Sequence, residues 1–177
     1  MQPSSTELIL IRVTGEDRPG LTSSVTEILA KYDATILDIG QADIHNTLSL
    51  GILFKSEERH SGFIMKELLF KASSLGVTIR FEPITTEQYD NWVGMQGKNR
   101  YILTVLGRKL SARQISAATS VLAEQGMNID AIKRLTGRIP LDECDTDART
   151  RACIEFSVRG TPKDRIAMQE KIGRAHV

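Results

Sequence analysis

The residues best suited to chemistry sit together near the N-terminus, in Gly15-Glu16-Asp17-Arg18-Pro19-Gly20-Leu21. Gly20 lets a ligand approach the backbone closely. The N–H groups of Leu21 and Thr22 open a helical pattern, where a carboxylate is favoured. Asp17 supplies a carboxylate for an ammonium group. Donors for a carboxylate and a carboxylate for an ammonium, in one turn, suit an amino acid. The same residues also read as an ordinary helix start, with Asp17 or a neighbour satisfying the free N–H groups. Local sequence favours that simpler reading without excluding the other. Elsewhere the reactive types are scattered. His45, His60 and His176 have no ligand spacing. Cys144 and Cys153 are too far apart for a CxxC site and are expected to be reduced thiols. Neither a P-loop nor GxGxxG occurs. No catalytic or metal-binding residue is assigned.

The elements that position the turn are legible from periodicity. Residues 8–13 (LILIRV) read as a strand that ends at Gly15. Leu21, Val25, Ile28 and Leu29 then recur at helical spacing, and Pro19 suits the first turn of that helix. Residues 35–44 and 48–54 read as two strands. Phe63, Ile64, Leu68, Leu69 and Ala72 mark a second helix that Gly76 closes. Residues 77–81 form a last strand. The order is β-α-β-β-α-β.

A second half repeats it, with a strand at 101–106, a helix at 110–124, strands at 127–135 and 151–158, and a helix at 162–172. A shift of 93 residues superposes Leu29 on Leu122, Ile36 on Ile129 and Ile39 on Ile132. The final strand has no counterpart in the chain. Residues 85–99 read as a linker with a short helical turn, in which Asn91-Trp92-Val93 packs against a domain. The expected fold is α+β: two ferredoxin-like units, each a four-stranded antiparallel sheet with two helices on one face and the other face open. The expected bounds are 1–84, 85–99 and 100–172, the second unit being truncated before its last strand.

Composition sets limits. The chain has 177 residues, 41% hydrophobic and 25% charged, the usual soluble globular mix. Lys and Arg number 23 against 22 Asp and Glu, a net charge of +1, which argues against a nucleic-acid binder. No apolar run approaches the ~18 residues of a membrane span. With no secretory signal at the start, the expected location is cytoplasmic.

The element order, the Asp17-Arg18-Pro19-Gly20-Leu21 turn, and Glu124-Gln125-Gly126-Met127-Asn128-Ile129 entering a strand resemble ACT domains, small regulatory modules that bind amino acids at domain interfaces. With Ile44-His45-Asn46-Thr47-Leu48 and Ala152-Cys153-Ile154-Glu155-Phe156, the tandem is similar to the N-terminal region of long-form bacterial phosphoserine phosphatases. The resemblance implies a regulatory, dimerising region that senses a small amino acid such as L-serine and works as a homodimer. It implies a haloacid-dehalogenase-type catalytic domain outside this chain, hydrolysing O-phospho-L-serine with Mg²⁺. By the same resemblance the ligand residues are Asp17, Arg18, Gly20, Leu21, Thr35 and Asn128. Thr35 departs from the family's amide, which Asn128 keeps, while the second turn (Arg108-Lys109-Leu110-Ser111) lacks DRPG.

Asp145-Thr146-Asp147 does not supply the family's DxDx[TV] nucleophile motif. Ala148 and Arg149 follow it and no apolar strand precedes it, so it reads as an acidic loop. A free-standing tandem regulator acting by protein contact and a ligand-free dimerisation module remain the alternatives. Residues 173–177 break the last helical pattern and are expected to be a non-native tail.

Overall fold

The computed structural model describes residues 5–97, 99–108, 110–137 and 152–174, in two compact units, Met1–Gly94 and Met95–Val177. Cys144, the Asp145-Thr146-Asp147 loop, Lys109, His176 and the tail from 175 onward lie outside the described residues.

The first unit runs β1 (Thr6–Glu16), α1 (Leu21–Lys31), β2 (Thr35–Ile44), β3 (Thr47–Glu57), α2 (Glu58–Leu75), β4 (Thr78–Ile84) and all but the last two residues of α3 (Thr86–Gln96). Its antiparallel sheet has the order β2-β3-β1-β4. Alternation decides the faces. Ile9, Ile11 and Val13 of β1 are buried with Leu48, Leu50, Ile52 and Phe54 of β3. Leu21, Val25 and Leu29 of α1 and Ile64 and Leu68 of α2 cover them. Each such side chain contributes about 1.5–3 kcal/mol by leaving water. On α2 the i, i+4 stripe Ile64, Leu68 and Ala72 is buried, whereas Phe63 and Leu69, which flank the stripe, are exposed.

Two local features fix the sheet ends. His45 and Asn46, both at positive φ, make a two-residue hairpin between paired Ile44 and Thr47. Gly15 admits Val77: a Cβ on Gly15 would stand 2.7 Å from Val77 Cγ1.

The second unit runs β5 (Arg100–Gly107), α4 (Ala112–Glu124), β6 (Asn128–Arg134), β7 (Ala152–Arg159) and α5 (Arg165–Arg174). Its sheet has three strands, β5-β7-β6, around Val105, Phe156, Val158 and Leu122. Both units carry a bulge at the same repeat position, between Ile36 and Asp38 and between Ile129 and Ala131.

Four expectations need correction. Pro19 lies outside helix α1: Leu21 N–H donates to Arg18 O at 3.2 Å, and Gly20 has φ 86° and ψ 0°, so Pro19 and Gly20 are the middle of a type II turn. Residues 85–99 hold an 11-residue helix rather than a single turn, begun by a reciprocal pair in which Thr85 N–H donates to Gln88 Oε1 and Gln88 N–H to Thr85 Oγ1. The first sheet's outer face is not wholly open, because Tyr89 and Trp92 of α3 line a cavity on it. The last helix starts at Arg165, behind Asp164, whose carboxylate accepts Ala167 N–H, and it continues through Gly173.

Candidate functional site

The β1–α1 turn is built by backbone. Asp17 N–H donates to Asn46 O at 2.8 Å, which ties the turn to the β2–β3 hairpin. Gly20 takes the left-handed conformation at the helix start, and a Cβ there would meet nothing within 4 Å. Glycine has no side chain to cap the helix, and among the described residues no other side chain accepts from its first turn. The first intrahelical bond is Ser24 N–H to Gly20 O at 2.9 Å. The N–H groups of Thr22 and Ser23 therefore have no acceptor among the described residues, at the positive end of the helix. This geometry answers the question left by the sequence: the turn is not a side-chain N-cap.

Asp17 and Arg18 are exposed. The Arg18 guanidinium pairs with Glu16 at 2.9 Å, a surface contact worth about 0–1 kcal/mol. Leu21 is buried and anchors the helix start. Thr22 Oγ1 donates to Gln41 Oε1 at 2.7 Å, which joins the turn to β2. Gln41 was missed by sequence reasoning. The signal for it was the hairpin register, since His45-Asn46 places Gln41 opposite Leu50 and hence level with Val13, near the end of β1.

The structure does not bring all the expected residues together. Asp17, Arg18, Gly20 and Leu21 share one turn. Thr35 pairs with Lys55, which pairs with Leu8, while the turn follows Glu16. Thr35 thus lies at the other end of the sheet, about 25 Å away along the strand at roughly 3.3 Å per residue. Asn128 belongs to the second unit. Its amide donates to Asp130 Oδ1 at 3.1 Å, and Arg159 reaches the same oxygen at 2.6 Å. That cluster is held internally.

The perturbed protonation states lie between α1 and α2. Glu67 Oε1 accepts from Lys31 Nζ at 2.5 Å and from Tyr32 OH at 2.6 Å. The bond from Lys31, then that from Tyr32, holds the Glu67 carboxyl below its ordinary range. The same bonds to Glu67 raise Lys31 and Tyr32. Among the described residues there is no group of three or more His, Cys, Asp or Glu that could hold a metal ion. No helix among them is long and apolar enough to cross a membrane.

Two family models described as ACT domain match the chain, over residues 7–82 and 100–142. Phosphoserine phosphatase SerB2 of Mycobacterium tuberculosis is 30% identical over 129 residues, 72% of this chain and 31% of that protein. A phosphoserine phosphatase of Streptomyces coelicolor is 31% identical over 160 residues, 90% of this chain and 35% of that protein. The chain thus spans about a third of the length of these curated relatives. A UPF0237 protein of Methanocaldococcus jannaschii is 30% identical over 73 residues, 40% of this chain and 81% of that protein. Among solved structures, an unknown protein from Galdieria sulphuraria superposes with a TM-score of 0.71 at 19% identity, covering 97% of this chain and 92% of that one. A glycine cleavage system transcriptional repressor, so described in its structure, gives 0.64 at 14% identity, covering 96% and 90%. These two likenesses concern the fold.

Proposed function

This chain belongs to the ACT-domain family, and from that premise we propose that it is a regulatory region that binds a small amino acid at the β1–α1 turn of its first unit and pairs with a second copy. The observation that carries the reading is the start of α1, where the Leu21 N–H is taken by Arg18 O but a left-handed Gly20 leaves the Thr22 and Ser23 N–H groups uncapped in the turn that holds Asp17. A carboxylate seated there accepts from backbone donors at the positive helix end. The ammonium group of the same ligand pairs with Asp17. Both halves of an α-amino acid are then matched by opposite partial charges within one turn.

The β2 edge supports the pairing. It is one of the two outer strands of the first sheet, and Ile36, Ile39 and Ile44 on it are 41%, 49% and 74% exposed. An unpaired, apolar edge is a template for another strand. Antiparallel pairing of two β2 edges sets the Thr35 end of one copy against the Ile44 end of the other, beside the turn tied to Asn46. In that arrangement Thr35 joins the site of the second copy.

For the whole protein the reading is regulation of a phosphoserine phosphatase, which hydrolyses O-phospho-L-serine with Mg²⁺ bound in a catalytic domain beyond these residues. The ligand acts by favouring one arrangement of the ACT units, and it regulates only to the extent that its affinity for the two arrangements differs. Calorimetric titration of the chain with L-serine tests the site. Saturable binding that Asp17→Asn weakens is the expected result, and binding unaltered by that substitution removes the site from this turn.

A free-standing tandem regulator is the second reading; its free-standing part is favoured by the M. jannaschii relative, 81% of whose length is matched by 73 residues of this chain, although that relative corresponds to a single unit. Sequencing the gene past the codon for Ile172 separates the two. An apolar strand followed by DxDx[TV] supports the phosphatase, and a stop codon supports the free-standing form.

A further inference from the structure

The outer face of the first sheet holds a cavity of about 320 Å³, formed wholly within the first unit. Its floor is Leu10, Leu53 and Ile84. Its wall is Tyr89 and Trp92 on α3, whose rings lie 5.9 Å apart and tilted by 41°. The helix is held over the sheet by a short route, because the Thr85–Gln88 capping pair starts it immediately after β4.

Asp38 is the only charged residue of the lining. The bulge puts it there. Ile36 pairs with Phe54, whose side chain is in the core, yet Asp38 pairs with Leu53 and so faces the opposite side. In a regular strand, residues two apart share a face, so the extra residue Leu37 has turned Asp38 outward. One oxygen of Asp38 accepts Ile39 N–H at 3.0 Å, and the other takes no hydrogen bond among the described residues.

A carboxylate beside two tilted aromatic rings, above an aliphatic floor, attracts a cation that carries apolar groups. The lining contains no Lys, Arg or His. A zwitterionic amino acid would place its own carboxylate near Asp38 with no cation to meet it. We propose that this cavity binds a small organic ammonium ion, a quaternary or alkylated amine, at a site separate from the β1–α1 turn. The ammonium pairs with the free oxygen of Asp38 and rests against the faces of Tyr89 and Trp92, while its alkyl groups cover Leu10 and Leu53. Commitment to a small ion follows from the volume, which lies at the lower end of small-molecule sites.

Trp92 is the sole tryptophan of the chain, so its fluorescence reports on this cavity directly. The experiment titrates the 177-residue protein with choline, and in parallel with dimethylbutanol, its isostere in which carbon replaces the charged nitrogen. The expected result is a saturable change in Trp92 emission with choline and roughly tenfold weaker binding of the neutral isostere. Asp38→Asn, checked for an unchanged melting temperature, narrows the gap between the two probes, and the remainder is the attraction of the aromatic faces. No saturable change with choline, an equal response to both probes, or an undiminished preference in Asp38→Asn overturns the proposal. Displacement of choline by L-serine also overturns it, since the cavity would then be an amino-acid site.

Discussion

At the start of α1 the chain places a left-handed glycine and no cap, whereas at the start of α4, the equivalent helix, it places Ser111 and Gln114 in a reciprocal box. Ser111 Oγ accepts Gln114 N–H at 3.3 Å and Gln114 Oε1 accepts Ser111 N–H at 3.0 Å. One turn has no side-chain cap for its donors, and the other consumes them internally. The strand entries differ in the same sense. Asn128, Asp130 and Arg159 form a closed cluster in the second unit, while the matching positions in the first are Thr35, Leu37 and Lys55. On the proposed reading, recognition belongs to the first turn, while the second unit ties Asn128, Asp130 and one nitrogen of Arg159 together and leaves Arg159 Nη1 buried without a partner.

The helix–helix contact teaches a related point. Lys31 ends α1 and pairs with Glu67 of α2, whereas Glu124 ends α4 and pairs with Lys171 of α5 at 2.7 Å. The position is retained with the charges exchanged. The fold preserves the contact, and either arrangement of charges satisfies it.

The comparison breaks most readily at Gly20. A β-branched residue is poorly suited to φ 86°, so Gly20→Val is expected to lose about 1–3 kcal/mol of stability together with amino-acid binding. Thermal melts read the first effect and calorimetry the second. Gly20→Asn, which tolerates the left-handed region, retains most of the stability and isolates the steric block. Next in size, Asp17→Asn is expected to weaken L-serine binding roughly tenfold, by loss of a hydrogen bond between charged groups worth about 1.5–3 kcal/mol, with the melting temperature unchanged.

On the second unit the expectation reverses. Ser111→Ala costs about 1 kcal/mol of stability, measured by denaturant unfolding, and leaves amino-acid binding as it was. Weaker binding in that variant would show that the capped turn also takes part.

The smallest effect is in the pH dependence of the α1–α2 clamp. Glu67 is held below its ordinary value of 4.5, so its contribution is present above that value and is lost as pH falls through the lower, folded-state one. Lys31 is raised from 10.5, so its contribution is present below that value and is lost as pH rises through the raised one. Melting curves of the native chain and Glu67→Gln are expected to differ at neutral pH and to converge in acid.

Much of this was legible in the order of residues. Alternation of Ile9, Ile11 and Val13 and the helical spacing of Leu21, Val25 and Leu29 dictated which faces are buried, because those periods are properties of a single element. Gly76 closes α2 in the left-handed conformation for the same local reason. The turn at 17–21 was found because it is contiguous. Other features depend on pairing between distant segments. Thr35 falls far from Asp17 because β2 runs antiparallel to β3 from the opposite end of the sheet. Gln41 reaches Thr22 only through the register of that hairpin. Asp38 faces outward only because a bulge changes the parity of its strand, and Trp92 lines the same cavity only because α3 turns back onto the sheet. The sequence by itself determined the elements, their buried faces and the chemistry of one turn. The tertiary structure alone decided which residues from separate strands share a site, since register and parity are set by partners that no local pattern contains.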